Sequence, residues 1–165
     1  MNNKSSNRNI LQNEVILLEQ ESKLLKKVKY RKSIIHEDLN IENIVIDKNG
    51  HVNFIDFGES HRAEVISDIA IAIKEIIVNN NGIDLGLVRD YLNSYQKVIR
   101  LGKDEIGALF FLMKRRVIFM IAYLSNKQKT NESVELKKRI SIEIKVLKIF
   151  QKNRHLIKNF IKKYE

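Results

Sequence analysis

Residues 33–58 read SIIHEDLNIENIVIDKNGHVNFIDFG, from Ser33 to Gly58, and this stretch decides the fold. Three polar residues stand out in it: Asp38, Asn43 and Asp56. Asp38 and Asn43 lie in the frame H-x-D-x-x-x-x-N that runs from His36 to Asn43, and Asp56 belongs to Ile55-Asp56-Phe57-Gly58. Between them, Asn43 to Ile46 and His51 to Ile55 read as two short strands joined by Asp47-Lys48-Asn49-Gly50. An Asn-Gly pair between apolar runs is the strongest short-range hairpin signal, because both turn residues tolerate positive φ. A hairpin brings its open ends together, one carrying Asp38 and Asn43 and the other Asp56. Oxygen donors converging in this way suit a magnesium ion, with a further carboxylate free to accept a hydroxyl proton.

The stretch resembles the catalytic loop, hairpin and metal-binding turn of the protein-kinase-like superfamily. Within it, the similarity is to the aminoglycoside phosphotransferase and choline kinase family of small-molecule kinases. Their H-G-D-L-x-P-x-N and I-D-F patterns correspond to His36-Glu37-Asp38-Leu39 with Asn43, and to Ile55-Asp56-Phe57. The resemblance implies Asp38 as catalytic base, with Asn43 and Asp56 as ligands of a Mg2+ that bridges the phosphates of ATP. It implies that His36 braces the loop. Ser67-Asp68-Ile69-Ala70 is similar to the family's D-L-A element, which implies that the Asp68 carboxylate accepts hydrogen bonds from the catalytic-loop backbone. Two positions depart from the pattern: Glu37 stands where glycine is usual, and Ile41 where proline is usual.

The implied fold class is α+β and mostly helical: the C-terminal lobe of a protein-kinase-like fold, with the hairpin set into it. Residues 1–13 read as a flexible polar tail and 14–165 as the catalytic lobe. Glu14 to Tyr30 has an amphipathic helix pattern through Val15, Leu17, Leu18, Leu24, Leu25 and Val28. The first glycine is Gly50, so no glycine-rich phosphate-covering loop precedes the motif. The family's nucleotide-clamping N-terminal lobe is therefore expected to be absent, or supplied as a separate polypeptide.

Downstream, Glu59 to Arg62 reads as a polar loop facing the cleft and Val65 to Val78 as a buried helix. Asn79 to Gly82 reads as a turn, and Asp84 as the cap of a helix reaching Arg100. Another helix starts at Asp104, with Ile106, Leu109, Phe110, Met113, Val117, Met120, Ile121 and Leu124 at core spacing. Lys114-Arg115-Arg116 on that helix reads as a solvated face rather than a grip for an anionic substrate. Asn131 to Tyr164 reads as one long helix, or two broken near Asn153.

The chain has 165 residues and a net charge of +10, without cysteine or proline. It can bury a sizeable core, while disulfide and thiolate-metal chemistry are excluded. From Ser125 onward twelve Lys and Arg face four Glu, which concentrates most of the positive charge there. Aromatic residues are sparse in that segment, which argues against stacking on single-stranded nucleic acid. His51, His61 and His155 lack metal-ligand spacing. The N-terminus shows no signal-peptide pattern, and no apolar run reaches membrane-spanning length. A cytoplasmic protein follows.

The expected function is ATP-dependent transfer of a phosphoryl group to the hydroxyl of a small molecule. The rivals are a catalytically inactive kinase-like binding or regulatory module, and a basic protein that binds nucleic acid or a membrane surface. The charge distribution favours a neutral, zwitterionic or anionic acceptor, such as an amino alcohol or hydroxy amino acid, over a polycationic aminoglycoside.

Overall fold

A computed structural model of the chain describes residues 2–25, 28–79, 82–130 and 132–165. Lys26 and Lys27 of the expected first helix, Asn80 and Asn81 of the expected turn, and Asn131 lie outside these described residues.

The hub is α4 (Lys103–Thr130), against which α1 (Asn2–Leu25), α2 (Val65–Ile77), α5 (Val134–Lys152) and α6 (Arg154–Lys162) pack. Its residues Ile106, Leu109, Phe110, Met113, Val117, Ile121 and Leu124 form the inward stripe and are all buried. The most apolar helix is α2, although isoleucine is a mediocre helix former. Burial overrides that propensity, since Ile66, Ile69, Ile73 and Ile77 are almost wholly enclosed. Each such side chain contributes about 1.5–3 kcal/mol. Leu85–Val98 forms α3, capped by the Asp84 carboxylate, which accepts from the Leu87 N–H at 3.0 Å. Ser133 caps α5 in the same manner. Asn153 separates α5 from α6, and its side chain closes α5 by donating to the Ile149 carbonyl.

Three two-stranded antiparallel ribbons complete the described fold. The ribbon β2 (Ile44–Ile46) with β3 (Val52–Phe54) is the expected hairpin, with Ile44 opposite Phe54. Gly50 has φ +84 in its turn, a conformation that glycine adopts without steric cost. The Asp47 carboxylate accepts from the N–H groups of Asn49 and His51 and so locks the turn. A second ribbon pairs β1 (Lys32–Ile35) with β4 (His61–Glu64), and a third pairs β5 (Val78–Asn79) with β6 (Gly82–Ile83).

Several expectations need correction. Residues 2–13, expected as a tail, continue α1, and Ile10 and Leu11 lie against the core. The inward face of α1 is also turned: Val15 and Ile16 are exposed, whereas Glu14 is 3% exposed. The stretch after Gly58, expected as a loop, leads into β4, whose backbone pairs with β1 while His61 and Arg62 stay exposed. Lys114 is not on a solvated face, being 1% exposed. Its ammonium lies 3.2 Å from Glu14 Oε2 and 2.9 Å from Glu21 Oε2, so charge pairs fasten α1 to α4. An unpaired buried charge is too costly to persist, and it is this pairing that permits the burial. Burial pushes the Glu21 carboxyl up, but hydrogen bonds and attraction from Lys114 and Lys158 outweigh it and hold the group below its ordinary range. Lys74 and Glu143, 2.7 Å apart, form a similar buried link between α2 and α5.

Candidate active site

β1 ends at Ile35, and the chain then turns sharply through His36 and Glu37. Glu37 adopts φ +62, which a residue with a Cβ enters at a cost of about 1–2 kcal/mol. This is the position where the resembled motif carries glycine. The Asp68 carboxylate, in the first turn of α2, grips the turn from outside. Its two oxygens accept from the His36 N–H at 2.7 Å and the Glu37 N–H at 2.9 Å.

His36 is buried and ties this loop to the far strand of the hairpin. Its Nε2 lies 2.8 Å from the Ile55 carbonyl oxygen, which can only accept, so Nε2 carries the proton. The ring also rests 4.7 Å from that of Phe57. Asn43, buried at the end of a 3₁₀ turn (Ile41–Asn43), accepts the Ile55 N–H through its own carbonyl at 3.0 Å. Asp56 is the next residue. Asp38, Asn43 and Asp56 thus converge on the open end of the hairpin.

The Asp38 carboxylate is held on both oxygens. Oδ2 accepts from Asn40 Nδ2 at 3.0 Å and Asn43 Nδ2 at 3.1 Å, while Oδ1 accepts from Arg116 Nη2. A carboxylate offers about four lone-pair sites, so Oδ1 retains one. Because Asn43 Nδ2 also donates to the Asp38 carbonyl at 2.8 Å, the amide orientation is fixed and Asn43 Oδ1 is the atom left for a cation. Asp56 is exposed and adopts φ +61, and its side chain makes no capping bond. Among the described residues, Glu37 and Asp56 are the non-glycine residues with positive φ, and both sit here. Strained backbone of this kind persists only where surrounding contacts impose it, and it gathers at functional sites.

One carboxylate and one amide oxygen form a hard-donor set that fits a magnesium-like ion completing its shell with water and phosphate oxygens. Among the described residues no group of three or more His, Cys, Asp or Glu could hold a metal ion by itself. His51 and His61 are exposed and bonded locally, to Asp47 and to the Glu59 carbonyl.

At this site the sequence reading missed Asn40 and took Arg116, paired with Asp38, for part of a solvated face. Asn40 caps the 3₁₀ turn by accepting from the Glu42 and Asn43 N–H groups while donating to Asp38. An Asn ahead of a short helical turn is a capping signal that would have found it. Arg116 reaches Asp38 across 78 positions, and nothing local announces such a pairing.

Residues 7–105 match the model of the phosphotransferase enzyme family (APH). Homoserine kinase of Methylobacillus glycogenes is 33% identical over 78 residues, covering 47% of this chain and 24% of that protein. A probable serine/threonine-protein kinase KIN1 homolog of Encephalitozoon cuniculi (strain GB-M1) is 56% identical over 32 residues, 19% of this chain and 6% of that one. The chain therefore spans a quarter or less of these curated relatives. Among solved structures, the amicoumacin kinase hAmiN in complex with AMP-PNP, Ca2+ and Ami superposes with a TM-score of 0.63 at 14% identity, covering 86% of this chain and 45% of that one. The fold is kinase-like, mostly helical with small sheets, and the chain belongs to the phosphotransferase enzyme family.

Proposed function

We propose that the chain carries the catalytic half of an ATP-dependent kinase acting on a small-molecule hydroxyl. The observation that supports this best is the convergence of Asp38, Asn43 and Asp56 at one end of the hairpin, clamped by Asp68 and His36. In this reading Asp38 Oδ1 takes the proton from the acceptor hydroxyl. The hydroxyl oxygen forms a bond to the γ-phosphorus, the bond from that phosphorus to the β,γ-bridging oxygen breaks, and ADP leaves with the electron pair. Asn43 and Asp56 would hold a divalent cation, Mg2+ in the cell, which offsets charge on the phosphates. His36 and Asp68 act by positioning the loop.

Phosphoryl transfer depends mostly on placing the nucleotide, so a clamping lobe is part of this proposal. The hairpin and its flanking turns offer an apolar surface for such a lobe, with Ile41, Ile46, Val52 and Phe57 all exposed. ATP use places the reaction in the cytoplasm, and among the described residues no helix is long and apolar enough to cross a membrane.

The test is phosphate transfer from Mg-ATP to a panel of small alcohols, followed by 31P NMR with and without Asp38→Asn. Slow transfer by the parent chain, reduced about 10²–10⁴-fold by the substitution while the circular dichroism spectrum is retained, supports the reading. Transfer that is indifferent to Asp38→Asn sinks it.

A further inference from the structure

Beside Asp38 lies a cleft of about 240 Å³ whose chemistry describes a ligand. Ile71 and Leu112 give it an apolar floor, and Ser67, Glu37, Arg115, Arg116 and Phe119 form the walls. Adjacent helical residues normally diverge, so one of two neighbouring arginines would ordinarily turn to solvent. Here both line the cleft. Arg116 is fixed from two sides, by its bond to Asp38 Oδ1 and by the Phe119 ring, whose centroid lies 5.9 Å from its guanidinium carbon. Arg115 meets Ser67 Oγ at only 3.5 Å, the outer limit of a hydrogen bond, which leaves most of its five N–H donors unspent.

The charges can be matched in pairs. Asp38 answers Arg116, which leaves the Arg115 guanidinium facing the cleft and the Glu37 carboxylate on the same wall. A small molecule that satisfies these groups carries an anionic end for the arginines, a short apolar stem over Ile71 and Leu112, and a hydroxyl near Asp38. A guanidinium fork fits a carboxylate in two parallel bonds. A polycation offers no carboxylate to Arg115, so that guanidinium would stay unmatched beside further ammonium groups.

We propose that this cleft is the acceptor site and that it selects a small carboxylate-bearing alcohol, a hydroxy acid or hydroxy amino acid, with Arg115 as the main specificity residue. An α-amino group on such a molecule is received by Glu37. The assignment rests on the reading of Asp38 as the phosphotransfer base.

The experiment titrates 15N-labelled chain with homoserine, 4-hydroxybutyrate, 4-hydroxybutanamide and kanamycin, following amide shifts at Ser67, Ile71 and Phe119. The two acids are expected to shift these amides with dissociation constants about tenfold or more below that of the neutral amide, and kanamycin to leave them in place. Arg115→Gln, at an exposed side chain with one marginal contact, is expected to erase the preference without unfolding the protein. Arg116→Lys keeps the charge but not the fork, and is expected to weaken acid binding less than Arg115→Gln does. Equal binding of the acid and its amide, or acid binding unchanged in Arg115→Gln, overturns the proposal. The same ligands assayed with Mg-ATP separate it from the phosphotransfer reading. Transfer to kanamycin in preference to the acids leaves that reading intact and removes the selectivity. Carboxylate-selective binding without any transfer by this chain keeps the ligand preference of the cleft and overturns its role as the acceptor site.

Discussion

Asp68→Asn tests how the turn at His36 and Glu37 is held. In the parent chain two carboxylate oxygens accept from consecutive N–H groups at 2.7 and 2.9 Å. Hydrogen bonds to a charged group contribute roughly 1.5–3 kcal/mol each. Asparagine keeps one acceptor oxygen, loses the charge and turns an NH₂ group toward the other N–H, so about 2–4 kcal/mol should be lost. With a urea slope of about 2 kcal/mol/M, the unfolding midpoint falls by roughly 1–2 M. The damage should also be local, because Glu37 holds φ +62 only while its N–H is gripped. Hydrogen exchange at the His36 and Glu37 amides should therefore accelerate beyond the global change. Adding Glu37→Gly removes the left-handed penalty of about 1–2 kcal/mol and should recover part of the loss. A midpoint within about 0.2 M of the parent, with unchanged exchange at Glu37, would refute this account of the loop.

Two further perturbations probe the scaffold. Lys114→Met leaves Glu14 and Glu21 facing a buried apolar side chain; a loss of about 3 kcal/mol is expected, lowering the thermal midpoint by roughly 6–12 °C, and a loss below about 1 kcal/mol would mean that the pairs do not fasten α1. At Glu105, burial pushes the carboxyl up, but the Arg31 guanidinium at 2.8 Å and the Gly102 N–H outweigh it and hold the group below its ordinary 4.5. A depressed carboxyl adds stability that is full above the unfolded value and lost as pH falls through the folded one. Glu105→Gln should thus cost about 1–2 kcal/mol in urea melts at pH 7, with the gap to the parent closing below about pH 4.5; a gap that widens toward acid contradicts the sign.

The hairpin was legible because Asn49-Gly50 encodes a turn chemically and the flanking runs are apolar. The helices α2 and α4 were legible through the spacing of their Ile, Leu, Phe and Met residues. The orientation of α1 was not, because its inward stripe includes the buried Glu14 and the half-buried Glu21, and a search for apolar periodicity discards carboxylates. Its length was missed for a related reason: Ile10 and Leu11 are two apolar residues within a polar run, and their partial burial comes from packing against the core. β4 carries exposed polar side chains at His61 and Arg62, so its strand character comes from backbone pairing with β1, to which side-chain pattern is blind. Arg116 shows the same limit at the site itself. Lys114 is buried against α1 while Arg115 and Arg116 line the cleft, although the three read as one basic run.

The most direct measurement of the central claim, that the open end of the hairpin binds the metal–nucleotide, uses Mn2+ with AMP-PNP as a paramagnetic probe in amide NMR. The account predicts that broadening falls first on the backbone of Asn43 and Asp56 and on the Asn43 side-chain amide, and that Asp56→Ala removes it. Broadening centred elsewhere, or unchanged in Asp56→Ala, would contradict it.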